Sequence, residues 1–243
     1  KELSIWINFV ILRILNSIPL SKRIRTMHLN KQIVWCLSLI LTISSQQSYS
    51  QVDYRFENLS RKNGLSHDNV YAIIQDRYGF MWFGTQDGLN RYDGNSFNQY
   101  YNDPTNVNSL ISNNFGEIHE DKNGYLWFGT HYGGLDRFDP LINEFNHFVN
   151  DEEDKFSISS NNIRNILEDK YGNFWIATSG GGINYYNIKT SQFTKYVHDE
   201  LNSNSISSND VDALAIDKNG NLWVGTNKSL DYFDIKTSRF THY

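Results

Sequence analysis

Asp76-Arg77-Tyr78-Gly79-Phe80-Met81-Trp82-Phe83-Gly84-Thr85 decides the fold, because the same string returns three times further along the chain. Asp121-Lys122-Asn123-Gly124 leads to Trp127-Phe128-Gly129-Thr130, Asp169-Lys170-Tyr171-Gly172 to Trp175-Ile176-Ala177-Thr178, and Asp217-Lys218-Asn219-Gly220 to Trp223-Val224-Gly225-Thr226. The tryptophans are 45, 48 and 48 residues apart. Beyond each of them comes an aliphatic residue followed by an aromatic one: Leu89 and Tyr92, Leu135 and Phe138, Ile183 and Tyr186, Leu230 and Phe233. Each unit closes on two aromatics three apart, Phe97/Tyr100, Phe145/Phe148, Phe193/Tyr196 and Phe240/Tyr243. A period near 45 residues leaves helical arrays or propeller blades.

Working outward within one unit separates the two. Val70–Gln75, Met81–Thr85, Leu89–Tyr92 and Phe97–Tyr100 are short runs rich in aromatic and aliphatic residues, bounded by Gly, Asp or Asn, without a sustained 3.6-residue period. Four short antiparallel strands per repeat make a propeller blade, so the chain is predicted to be all-β: a β-propeller of four four-stranded repeats, part of a seven-bladed ring. In the Asp-x-x-Gly turn, Asp accepts backbone N–H bonds two residues on, and Gly takes the positive φ that realigns the next strand. A tryptophan buries ~150–250 Å², which at ~25 cal/mol per Å² is up to ~4–6 kcal/mol, enough to make it the main adhesive between blades. Tyr54–Leu59 matches the closing aromatic strand of the other units and is predicted to be an outermost strand lent to a last blade. Since no such blade is present and the sequence stops on a unit's final strand, the chain is expected to be truncated, with blade four ending on an open apolar face.

The N-terminal segment has another character. From Met27, Lys31 supplies a positive start, Ile33 to Ile43 an apolar core, and Ser48 and Ser50 the small residues before a cut at Gln51, which is the pattern of a secretory signal peptide over 27–50. Eleven apolar residues are about half of the ~20 needed to span a bilayer. Residues 1–26 lie upstream of this leader and are expected to be readthrough or unstructured, leaving 51–243 as propeller. Residues 51–243 hold 16 basic against 26 acidic side chains, a balance that repels phosphate backbones and disfavours nucleic acid as a partner. Cys36, the single cysteine, falls in the leader, so the repeats are held by packing and hydrogen bonds alone.

The recurring core Asp-x-x-Gly-x-x-Trp-x-Gly-Thr, preceded by Leu65-Ser66 or Ile158-Ser159-Ser160-Asn161 and followed by Asp93 or Asn187, resembles the two-component regulator propeller repeat over residues 52–243. Ala177 and Ser229 in place of Gly, and Asn187 in place of Asp, are departures confined to turns and strands. The resemblance implies a periplasmic ligand-sensing propeller of a membrane-bound hybrid two-component histidine kinase, with a membrane span and catalytic domains that lie outside this chain, a homodimer when full length. It also implies an oligosaccharide as the sensed small molecule, for the regulation of polysaccharide use. Two alternatives stay open: a secreted propeller enzyme of the streptogramin-lyase type, and the same sensor joined to a cyclase or transcription-factor output.

No catalytic residue, metal site or cofactor is predicted. His67, His119, His131, His147, His198 and His242 occupy unlike positions in their units, with no metal-binding spacing. Ser179-Gly180-Gly181-Gly182 is a strand connection, and Asp-x-Asn-Gly lacks the glutamate of a calcium loop. Binding remains. The loop after each Gly-Thr varies most between copies, and variable polar loops on a rigid scaffold are where specificity resides. Gln86, Asp87, His131, Tyr132, Asn227 and Lys228 are the candidate ligand-binding residues, Tyr132 stacking on a sugar face and the others bonding hydroxyls.

Overall fold

Sixteen strands, four to a sheet, follow one another in chain order, and a computed structural model describes them within residues 56–243. The leader at 27–50 and residues 1–26 lie outside the described residues. Blade 1 is β1 (Val70–Gln75), β2 (Met81–Thr85), β3 (Leu89–Tyr92) and β4 (Phe97–Tyr100). Blade 2 is β5 (Phe115–Glu120), β6 (Leu126–Thr130), β7 (Leu135–Asp139) and β8 (Glu144–Phe148). Blade 3 is β9 (Ile163–Glu168), β10 (Phe174–Thr178), β11 (Gly182–Asn187) and β12 (Gln192–Tyr196). Blade 4 is β13 (Val211–Ile216), β14 (Leu222–Thr226), β15 (Leu230–Asp234) and β16 (Arg239–His242). Every sheet is an antiparallel meander, and the first strands of successive blades neighbour one another.

The turn chemistry matches its prediction and adds to it. Asp76 Oδ1 accepts the N–H of Tyr78 and of Phe80, both at 2.9 Å, and Gly79 takes φ 92°. The same pair of bonds recurs at Asp121, Asp169 and Asp217. In blades 1 and 2 the second carboxylate oxygen also accepts the indole N–H six residues on, Asp76 from Trp82 at 2.8 Å and Asp121 from Trp127 at 3.0 Å.

The cores lie between blades. Trp82 packs on Phe128 and Phe138 of blade 2, Trp127 on Phe174 and Tyr186 of blade 3, and Trp175 on Phe233 of blade 4. These three indoles are fully buried, whereas Trp223 is half-buried and packs on Tyr232 and Tyr243 of its own blade. Glycine in Trp-x-Gly-Thr is a matter of approach: a Cβ on Gly84 would stand 2.9 Å from that of Phe115, and one on Gly129 2.6 Å from Ile163 Cγ2. β5 and β9 thus press Phe115 and Ile163 into the notches that the preceding blades leave.

The predicted strand Tyr54–Leu59 is only partly described, and the blade it would join is not among the described residues. Tyr54 and Arg55 lie outside the described residues, and Phe56–Ser60 are irregular, with Phe56 94% exposed. The chain then turns into a short 3₁₀ helix, Arg61–Asn63, where Asn63 Oδ1 accepts the Ser60 N–H. No strand lies beside 56–59 among the described residues, and a strand without a ladder partner has nothing to hold it extended.

Candidate functional site

The six predicted residues fall on one end of the blades, on the loops β2–β3, β6–β7 and β14–β15. These loops are stitched to the segment before a first strand: Gln86 N–H donates to Asn69 O, His131 N–H to Asn114 O, and Asn227 N–H to Asp210 O. Side chains add to the stitching. Asn69 donates to Gln86 Oε1 at 2.7 Å, Asn113 to Asp87 Oδ1 at 3.0 Å, and Asn227 to Asp210 Oδ2 at 3.3 Å. Lys228 engages through its backbone, which donates to Thr226 Oγ1. Gln86, Asp87 and Asn227 therefore already spend part of their bonding capacity in holding the loops.

His131 and Tyr132 differ from these. Tyr132 is 78% exposed and sits at φ 73°, in the left-handed region, where the corresponding residue of blade 3 is Gly180 at φ 81°. A bulky residue there costs on the order of 1 kcal/mol or more, and such strain clusters at ligand-contacting positions. The His131 ring lies next to Tyr132, with centroids 6.4 Å apart, and meets Tyr71 edge-on at 6.1 Å. It lies over Gly116, where a Cβ would come within 3.1 Å of its Cε1.

Tyr71 was not among the candidates. It occupies a β-bulge: the pairing of each first strand slips by one residue, at Tyr71, Gly116, Arg164 and Asp212. A bulge turns a side chain away from the regular alternation, and the four blades place Tyr, nothing, Arg and Asp at that point. Arg164 Nε is buried without a hydrogen-bond partner among the described residues. Beside the Gly116 bulge, burial pushes the Glu117 carboxyl up to about 7, against the pull of a hydrogen bond with Asn165. Asn165 Oδ1 accepts the Leu214 N–H, tying three first strands together. A short alternation of polar and apolar residues hides a bulge, so spacing alone did not single out Tyr71 or Arg164.

Three other histidines serve the framework. His147 Nδ1 is 2.6 Å from buried Asp136, His242 Nδ1 2.8 Å from buried Asp231, and His198 bonds Ile206 O much as Asn102 and Asn150 bond Leu110 O and Ile158 O. The hydrogen bond that His147 donates to the Asp136 carboxylate raises the His147 pKa.

Four segments of this framework, residues 64–87, 109–132, 157–180 and 205–228, match the family described as two component regulator propeller. These four segments are two-component regulator propeller repeats. Each match runs from before a first strand to the loop after Gly-Thr, so it includes Tyr71, His131 and Tyr132. Among solved structures, this repeat array is similar to the extracellular domain of a hybrid two component system from B. thetaiotaomicron, at 27% identity and TM-score 0.60 over 76% of this chain and 31% of that one. It is also similar to the extracellular domain of a one component system from the same organism, at 26% identity and TM-score 0.63 over 78% of this chain and 27% of that one. A curated relative, Histidine kinase P4 of Formosa agariphila, is 36% identical over 72 residues, which are 30% of this chain and 5% of that protein. The chain thus spans less than a third of the length of each of these relatives.

Proposed function

We propose that these repeats form the ligand-contacting propeller of a membrane-bound hybrid two-component histidine kinase that senses oligosaccharides outside the cytoplasm. The observation that carries the reading is Tyr132, an exposed aromatic held in a left-handed backbone beside His131 and Tyr71. A flat, exposed ring flanked by polar groups suits the apolar face of a sugar, while Arg164 and the loop amides supply hydroxyl and carbonyl bonding. Export and kinase output are supported by the relatives, two of them extracellular domains and one named a histidine kinase. Nothing in the repeat calls for a nucleophile or a metal: the acidic residues of the turns are spent on their own N–H groups.

Glycan-array screening of the chain beside its Tyr132→Ala and Tyr71→Ala variants tests this. A glycan bound by the parent chain and weakened about tenfold or more in each variant is expected, as lost stacking of about 1.4 kcal/mol would give. Equal binding by all three would remove the aromatic rim from the ligand site.

A further inference from the structure

At the opposite end of the blades, successive turns are clamped by a carboxylate. The last residue of β5, Glu120, accepts the backbone N–H of Arg77 at 3.0 Å and its Nε at 2.6 Å. The last residue of β9, Glu168, accepts the Lys122 N–H at 3.1 Å and has the Lys122 ammonium 3.7 Å away. In both junctions the basic side chain also covers the next turn, Arg77 lying over Gly124 and Lys122 over Gly172. The chain therefore shows twice what its turn residue after Asp holds: one carboxylate, gripped by a backbone N–H and a cation.

Between blades 3 and 4 the carboxylate is missing. The last residue of β13 is Ile216, and Lys170, the counterpart of Arg77 and Lys122, has no acceptor for its N–H among the described residues. Its ammonium turns back over the Tyr171 ring, 5.0 Å from the centroid, and nothing stands within 4 Å of where a Cβ on Gly220 would be. The space left is a cleft of about 410 Å³ whose lining includes Lys170, Lys218, Lys236, Tyr171, Ile216 and Ile235. Asp169 and Asp217 also border it, but each directs one oxygen to two turn N–H groups and has the other beside a tyrosine hydroxyl, Tyr185 or Tyr232. Three lysines and an apolar wall remain.

We infer that this cleft binds a small organic carboxylate with an apolar body, its carboxylate taking the place that Glu120 and Glu168 fill in the other two junctions. The Lys170 N–H and ammonium grip the anion, and Ile216, Ile235 and Tyr171 cover the body. The site is remote from the aromatic rim and does not depend on what binds there.

Benzoate, with benzamide as its uncharged counterpart, is the probe. In ¹H–¹⁵N spectra of the full 243-residue chain, benzoate is expected to shift the Lys170 and Gly220 amides at concentrations at least tenfold below those benzamide needs. Ile216→Glu, which supplies the clamp internally, abolishes the response to benzoate, and Lys170→Met weakens it about tenfold. Since Lys170 is exposed on a turn, the second variant keeps the test open if the first does not fold. Equal response to benzamide, no response to benzoate, or unaltered benzoate binding by Lys170→Met or by a folded Ile216→Glu would each overturn the inference.

Discussion

Blades 1 and 2 seat their tryptophans differently from blades 3 and 4. In the first pair the residue four past the turn Asp is aromatic, Phe80 or Tyr125, and the strand position opposite Trp is Arg91 or Arg137. The guanidinium lies over both rings, 4.7 Å from Phe80 and 5.9 Å from Trp82, 4.9 Å from Tyr125 and 5.8 Å from Trp127. In the second pair those positions are Asn173 or Asn221 and Tyr185 or Tyr232. There the phenol hydroxyl approaches the turn Asp, at 3.4 Å in blade 3 and 3.0 Å in blade 4, and its ring tilts on the indole with centroids 4.5 and 4.9 Å apart. The asparagine spans to the next strand end, Asn173 Oδ1 accepting from Ile188 and Asn221 Oδ1 from Ile235. The two positions change together because they serve one need, a partner for the second oxygen of Asp. An aromatic–arginine lid buries Asp76 and Asp121 against the indole N–H, whereas tyrosine takes that oxygen in blades 3 and 4 and leaves Trp175 Nε1 buried without an acceptor.

The strongest way to break this contrast is to remove the aspartate. Asp121→Ala strands a buried indole N–H and two turn N–H groups, and is expected to cost about 3 kcal/mol in denaturant unfolding. Asp169→Ala, whose partners are closer to solvent, is expected to cost about half as much; equal losses would mean that the indole bond contributes nothing. A finer test changes the indole. Trp127→Phe and Trp175→Phe remove similar area, but the former also deprives Asp121 Oδ2 of its donor, so it is expected to be about 1 kcal/mol worse by the same measurement. The smallest effect is in alkali. Burial first, and then the Asp169 charge, push Tyr185 up to about 12, so its tyrosinate absorbance appears there instead of near the ordinary 10.0, and Tyr185→Phe deletes that step. Because the folded pKa is the higher one, whatever stability the neutral phenol confers is intact below pH 10 and drains as pH rises through about 12.

The strands were legible because every blade repeats the same burial problem. Tryptophan, the turn Asp and the glycine after it recur at fixed offsets, and their spacing sufficed to place β1 to β4 to the residue. The six-residue spacing from turn Asp to Trp recurs in all four units, but a turn alone accounts for the aspartate, so the spacing did not disclose that the indole donates to its second oxygen in blades 1 and 2. The rim was only half legible. His131 and Tyr132 stood out as a variable loop, while Tyr71 owes its position to a bulge, which sequence does not announce. Tyr54–Leu59 is left open, because the last blade it is predicted to pair with is not among the described residues. Gln86, Asp87 and Asn227 look available in sequence only because their partners, Asn69, Asn113 and Asp210, lie 17 or 26 residues away.

Trp82, Trp127 and Trp175 reach forward into the blade after them, and the notches at Gly84 and Gly129 receive the blade after them. The stack consequently has a sense, like shingles on a roof, and exchanging the order of two blades would not be neutral even though they share one strand order. A blade's own sequence writes only one side of each seam, so neighbours must change in step.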